Sequence, residues 1–204
     1  AGIPLQSTYR THVIKFRPAG GDATALIAIK KKELTEKHEE YKGKWVLPSM
    51  IKAIEQLKHE IELCQPNVII ALGNVALWAL TSHWSVHQYR SSLLQCDLKL
   101  ALPYSPKVIP TYPMATINKM WEWRFIGIHD LKRAKRESET KELYIREKKF
   151  EIKPTFEIAL HRLKWIYAQL EYVSKENCKI ACDIETKHYH IECIALAWSE
   201  TEAI

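Results

Sequence analysis

Apolar positions recur every three or four residues from Met50 through Ile54, Leu57 and Ile61 to Cys64, just after Pro48-Ser49. This spacing predicts a helix with one buried face, opened by the proline and ended by Pro66. Asn67 to Leu72 is a continuous apolar run, the pattern of a strand in the middle of a parallel sheet. Gly73 then turns the chain into a short helix carrying Val75, Ala76, Ala79 and Leu80. Upstream, Tyr9 to Phe16 is rich in β-branched and aromatic residues and predicts a strand, ended by a loop from Arg17 to Asp22. Residues 23–47 include a charge run and show no clear period, which predicts an irregular segment. Beyond the short helix, a loop holds Arg90 and a strand pair is expected around Leu98 to Leu102. Lys107 to Tyr112 reads as a further apolar strand. Trp121 to Lys135 reads as a helix ending in the basic run Lys132-Arg133-Ala134-Lys135-Arg136.

Residues 137–142 are polar or charged throughout, and a domain boundary is expected there. Leu143 to Ile152 alternates like an edge strand. Pro154-Thr155 opens a long helix with an apolar stripe at Phe156, Ala159, Leu160, Leu163, Tyr167 and Leu170. An apolar strand from Lys179 to Cys182 runs into Asp183-Ile184-Glu185-Thr186, and a second apolar strand spans Glu192 to Ser199. The strand–helix alternation predicts an α/β fold. Carboxylates at i and i+2 on a strand share a face. A buried strand ending in such a pair is a common holder of divalent metals. His188 and His190 have the same spacing and read as a solvated hairpin turn.

Composition narrows this picture. A length of 204 residues allows one or two domains, and a hydrophobic fraction of 47% supplies a core. Seven tryptophans are many for this size; most are expected to pack, and a minority to be free to stack on a base. The net charge of +6 and pI near 9.0 are compatible with a polyanionic partner. Five cysteines without C-x-x-C spacing read as reduced, buried thiols of a cytosolic protein. No run of 18 apolar residues exists, so a membrane partner is not expected. No signal peptide is expected from the opening Ala-Gly-Ile-Pro, and the N-terminus is expected to be a cut.

Residues 1–136 resemble the uracil-DNA glycosylase superfamily, nearest its thermostable bacterial type. Tyr9 to Pro18 (YRTHVIKFRP) resembles that family's second strand. Ile61 to Leu80 (IELCQPNVIIALGNVALWAL) resembles its strand–turn–helix. Arg90 falls where the family often has Arg-Gly, Val108 to Tyr112 (VIPTY) on the strand before its His-Pro-Ser loop, and His129 to Ala134 (HDLKRA) on its final helix. The resemblance implies DNA or base contacts at His12, Gly73, Asn74, Arg90, Tyr112, Lys132, Arg133, Lys135 and Arg136. Plainer readings stand beside these: a half-buried histidine, a strand-to-helix turn, a packing tyrosine and a solvated helix end favoured by the helix dipole.

The departures from the family bear on chemistry. The base-reading Asn corresponds to His12, and the catalytic His loop has no counterpart, since Pro113-Met114-Ala115 follows Tyr112. The family's Gly-Glu-Ala-Pro-Gly loop would lie before Ala1. Its iron–sulfur cysteines correspond to Phe16 and Ala53, so no iron–sulfur cluster is expected. Uracil excision needs an extruded base, an aligned donor and charge stabilisation. His12 does not present the paired donor and acceptor of an amide, and Pro113 donates nothing. A scaffold or DNA-contacting role is therefore expected.

Phe150 to Ser199 resembles the start of the DnaQ-like, RNase H-like 3′–5′ exonuclease domain of family A DNA polymerases. The match covers one motif, Asp183-Ile184-Glu185. It implies two-metal phosphodiester hydrolysis with Mg²⁺ or Mn²⁺ on oxygen ligands. By resemblance, Asp183 bridges both ions, and Glu185 binds one and orients the attacking water. The expected organisation is a glycosylase-like α/β sandwich with a parallel central sheet at 1–136, a linker at 137–149, and an exonuclease module at 150–204 that is begun but not completed. The expected parent is a proofreading DNA polymerase, most plausibly from a bacteriophage. It would act in the cytoplasm of a bacterial host, with DNA and other replication proteins as partners. Two alternatives stay open: a free-standing uracil-DNA glycosylase of base excision repair, and a non-catalytic module that docks single-stranded DNA or a partner.

Overall fold

The computed structural model describes residues 2–144, 147–172, 180–199 and 201–204. The chain divides into two compact units, Ala1–Leu143 and Tyr144–Ile204. No helix among the described residues is long and apolar enough to cross a membrane.

Unit 1 begins with irregular chain and short 3₁₀ turns. β1 (Ile27–Ala28), β2 (Glu39–Tyr41) and β3 (Lys44–Val46) then form a small antiparallel sheet in the order β1-β3-β2. α1 (Pro48–Cys64), β4 (Val68–Leu72), α2 (Asn74–Thr81), α3 (Val86–Tyr89), β5 (Leu94–Gln95), β6 (Lys107–Thr111), α4 (Met114–Lys119) and α5 (Arg124–Glu137) follow. β6 lies between β4 and β5. It pairs parallel with β4, Val68 opposite Lys107 and Leu72 opposite Thr111, and antiparallel with β5.

α1 forms where the 3.6-residue period predicts it. Met50, Ile54, Leu57 and Ile61 are buried, and Gln65 ends the helix in the left-handed region, its N–H donating to the Ile61 carbonyl at 2.8 Å. α1 joins two core clusters: Leu57 and Ile61 pack with Ala71, Leu77, Leu80 and Val108, while Met50 and Ile54 pack with Val46, Trp78 and Ala79. Each such side chain contributes about 2 kcal/mol by leaving water.

Four expectations need correction. Tyr9 to Phe16 pairs with no strand. Its side chains reach α1 instead, Thr11 Oγ1 and Lys15 Nζ donating to Glu60 at 2.7 and 2.8 Å, while Val13 and Ile14 pack on the core. Lys15 Nζ also donates to the His12 carbonyl at 2.7 Å, a backbone acceptor that a ladder would use. Burial raises the Glu60 pKa, but Lys15, Thr11 and Tyr9 together hold it below the ordinary glutamate range. Residues 23–47 are not structureless: Lys42 and Gly43 both have positive φ, 50° and 69°, and make the two-residue turn of the β2–β3 hairpin. No strand pair forms at Leu98 to Leu102; the short β5 precedes it. β4 is an edge strand among the described residues, and the fully buried central strand is β6.

Unit 2 contains β7 (Lys149–Phe150), α6 (Phe156–Tyr172), β8 (Ala181–Lys187), β9 (His190–Ala197) and β10 (Glu202–Ala203), in the sheet order β7-β10-β9-β8. The β8–β9 turn is His188-Tyr189, both with positive φ. Arg162 grips Glu151 through Nε and Nη2, at 3.1 and 2.7 Å to Oε1, which holds the Glu151 pKa below its ordinary value. The Trp165 and Trp198 rings meet edge to face at 5.7 Å. The predicted stripe of α6 is largely exposed at Phe156, Leu160, Leu163 and Tyr167; among the described side chains of α6 Ile166 is buried, and Leu170 lies outside them.

The cysteines divide differently from the expectation. Cys64, Cys182 and Cys193 are exposed, Cys96 is buried, and Cys178 lies outside the described residues. Burial pushes the Cys96 thiol pKa up, so its thiolate population is small. Native-state alkylation read by peptide mass spectrometry should therefore modify Cys96 last, and only at the rate of unfolding. Labelling of Cys96 as fast as Cys64 would contradict this packing.

Candidate functional site

In open α/β sheets, ligands bind outside the carboxyl ends of parallel strands. Here those ends are Leu72-Gly73 on β4 and Thr111-Tyr112-Pro113 on β6. Gly73 sits at φ 90° and ψ 176°, a conformation almost confined to glycine. Its N–H donates to the Thr111 carbonyl at 3.1 Å, which ties the two strand ends together. A Cβ on Gly73 would stand 3.0 Å from Pro113 Cγ, so the proline ring lies directly against the turn.

Aromatic and amide groups close the same end. Tyr112 Oη and His87 Nδ1 are 2.8 Å apart, and the Tyr112 ring lies 4.8 Å from that of Trp123. Asn74 Oδ1 accepts from the Val86 N–H at 2.8 Å, so its amide fixes the start of α3. Ser91 holds a buried hydroxyl with no hydrogen-bond partner among the described residues. Two open recesses of roughly 330 and 580 Å³ lie at Leu98–Ser105 and beside Lys15 and His59. Neither is lined by the strand-end residues.

Beneath this cluster is a buried carboxylate. Asp130 on α5 is 1% exposed. It accepts from Thr111 Oγ1 at 2.8 Å and from Arg90 Nη1 at 2.9 Å. Asp130 lies on the inner face of α5 with Gly127 and Ala134. Gly127 lets α4 approach closely, since a Cβ there would come within 2.6 Å of Ile117 Cδ1.

The structure thus brings Gly73, Asn74, Arg90 and Tyr112 to one end of one sheet. The bonds of Asn74 and Arg90 are internal. His12 is exposed on irregular chain, and its carbonyl accepts from Lys15 Nζ at 2.7 Å. Lys132, Lys135 and Arg136 are exposed on the last turns of α5, and Arg133 is half-buried. Sequence reasoning missed Asp130, His87 and the group formed by the exposed Trp121 and Phe125 with the half-buried Arg124. The Asp in HDLKRA was a usable signal for the first. A tryptophan count alone gave no signal for the last.

In unit 2, Asp183 and Glu185 lie two residues apart on β8, before the bulge at Glu185/Thr186, and so share a face. Asp183 Oδ1 accepts from the Ile184 N–H at 3.1 Å. The expectation of a buried strand is corrected: all seven residues of β8 are exposed, and β8 is the edge of its sheet among the described residues. No group of three or more His, Cys, Asp or Glu among the described residues is placed to hold a metal. Two carboxylates suit a hard cation by donor type but do not supply the roughly six oxygens that it takes.

The family model described as Uracil DNA glycosylase superfamily matches residues 1–143. No curated protein matches the chain.

The Arg90–Asp130 pair yields a test. Arg90→Ala leaves a buried carboxylate without its cation, and should lower unfolding stability by about 3 kcal/mol. Arg90→Ala combined with Asp130→Ala should recover part of the loss. Urea unfolding measures both. Equal stability of Arg90→Ala and the unaltered chain would show that the pair does not hold the site.

Proposed function

Because the chain belongs to the uracil DNA glycosylase superfamily over residues 1–143, we propose that unit 1 is a DNA-contacting member that does not excise bases. The observation that carries this is the Pro113 ring packed on Gly73. It occupies the strand end where the family's catalytic loop would present its histidine. Proline offers no donor there, and the Tyr112 hydroxyl is engaged with His87. Asn74 and Arg90 are engaged internally as well. The solvent-facing cations of α5 supply phosphate contacts instead.

The reading extends to the whole chain: it is part of a DNA polymerase, of phage type, whose proofreading exonuclease begins in unit 2. It would act in the cytoplasm of a bacterial host beside other replication proteins. What supports this is the Asp183-Ile184-Glu185 motif with both carboxylates on one strand face. Mg²⁺ or Mn²⁺ would supply charge stabilisation to a phosphodiester when bound. Asp183 and Glu185 would hold such an ion together with further oxygen ligands.

Two outcomes are expected. The chain incubated with uracil-containing single-stranded DNA, followed by alkali, should give no strand breaks above those of a His12→Ala control. Clear breaks would overturn the non-catalytic reading. In the polymerase parent, Asp183→Ala with Glu185→Ala should abolish trimming of a mismatched 3′ end and leave polymerisation largely intact. Trimming at the unaltered rate would refute the exonuclease assignment.

A further inference from the structure

α5 has two faces. Gly127, Asp130 and Ala134 are buried. On the opposite side Phe125, His129, Lys132 and Arg136, at i, i+4, i+7 and i+11, form one exposed stripe. The stripe is roughly 16 Å long at helical rise. Its two ends differ in chemistry. At the start, Trp121 and Phe125 are 61% and 64% exposed. The Arg124 guanidinium lies over both rings, 4.1 Å from the Phe125 ring centre and 5.4 Å from that of Trp121. Arg124 Nη1 donates to the Trp121 carbonyl at 3.1 Å, which holds the plane in place. At the far end are the cations Lys132 and Arg136. Large aromatic faces left in water have no role in packing this unit.

We infer that this face of α5 is a track for single-stranded DNA, with unpaired bases stacking on Trp121 and Phe125 and phosphates meeting Lys132 and Arg136. The assignment rests on the DNA-contacting reading above and gives that contact a strand preference. Single strands expose the base faces that aromatic and arginine planes take up, whereas a duplex keeps them stacked internally. The acidic groups near the stripe do not oppose it strongly. Asp130 is buried and paired with Arg90, and Glu137 lies 3.6 Å from Lys107 Nζ. Glu122 beside Trp121 and Glu139 just beyond Arg136 are exposed carboxylates, one at each end of the stripe. A purely apolar docking surface for a protein would not need cations in register along the same stripe.

The test uses the full chain with labelled oligothymidylate and a duplex of equal length, by fluorescence anisotropy at several salt concentrations. Oligothymidylate should bind more tightly than duplex. Trp121→Ala with Phe125→Ala should weaken single-strand binding by roughly thirtyfold or more and leave the salt dependence unchanged. Lys132→Ala with Arg136→Ala should instead reduce the log–log salt slope by about 1.4, two contacts at ~0.7 each. Trp121→Leu with Phe125→Leu keeps apolar bulk and removes the ring faces. It should reproduce the alanine result if the alanine pair fails to fold. A folded ring-deleted variant that binds like the unaltered chain would overturn the track and leave the patch to a protein partner. Duplex bound as tightly as single strand would also overturn it. In both cases the DNA-contacting reading survives. No binding of either DNA at low salt would overturn the two together.

Discussion

A carboxylate placed inside a protein costs several kcal/mol unless charge and hydrogen bonds compensate it. Asp130 is compensated from two directions, by Thr111 at the end of β6 and by Arg90 in the loop after α3. These partners are 19 and 40 residues away in sequence. The requirement to keep both bonds therefore fixes α5 against the sheet. It also fixes the strand end from which Tyr112 and Pro113 project. The outward direction of Phe125, His129, Lys132 and Arg136 is a consequence, since turning Asp130 inward turns those positions outward. Lys107 does related work at the other end of β6. It is fully buried, and its ammonium donates to Thr140 Oγ1 at 2.9 Å and to the Glu142 carbonyl at 3.1 Å.

The long periodic elements were legible in the sequence. α1 and α5, with the apolar strands β4 and β6, lie within a few residues of where pattern places them. Helix periodicity and unbroken apolar runs are local signals, readable without knowing the partner. The errors concern pairing, which is not local. Tyr9 to Phe16 has strand composition, but its side chains are tied to Glu60 on α1, and the Lys15 ammonium takes the His12 carbonyl that a ladder would use. The β2–β3 hairpin was hidden because Glu39, Glu40 and Lys44 make its strands look like a charge run. Its turn rests on Lys42-Gly43, a weaker signal than Asn-Gly. The apolar run of β4 gave no information on which side of β6 it would fall.

The candidate site shows the same division. Gly73, Asn74, Arg90 and Tyr112 were each expected as DNA or base contacts, and they meet at the end of the β4–β6 pair. Their partners were not expected. Asn74 and Arg90 direct their polar groups inward, to Val86 and Asp130, and Tyr112 meets His87. A motif in sequence fixes where a residue stands, but the competition for its hydrogen bonds decides what it can do. A guanidinium already held by a buried carboxylate has fewer donors left for a phosphate, whereas Lys132 and Arg136 are exposed to solvent on α5.

Unit 2 extends this argument to burial. The period on α6 correctly marks Phe156, Leu160, Leu163 and Tyr167 as one stripe, yet that stripe is largely exposed, and so is the whole of β8. Periodicity announces a face and says nothing about its cover. What holds this unit is a smaller set of contacts: Arg162 on Glu151, Trp165 against Trp198, and the Trp198 indole donating to Glu202 at 3.1 Å. The Arg162–Glu151 bond is an ion pair at the surface, of modest strength in water. Exposure has a chemical consequence for Asp183 and Glu185 as well. Water screens their mutual repulsion on an open strand, so nothing local drives either to gather a cation. An ion that bridged them would depend on neighbours that dehydrate the pair and add oxygen ligands. Two carboxylates on an open strand face would therefore acquire metal affinity only within a closed cleft.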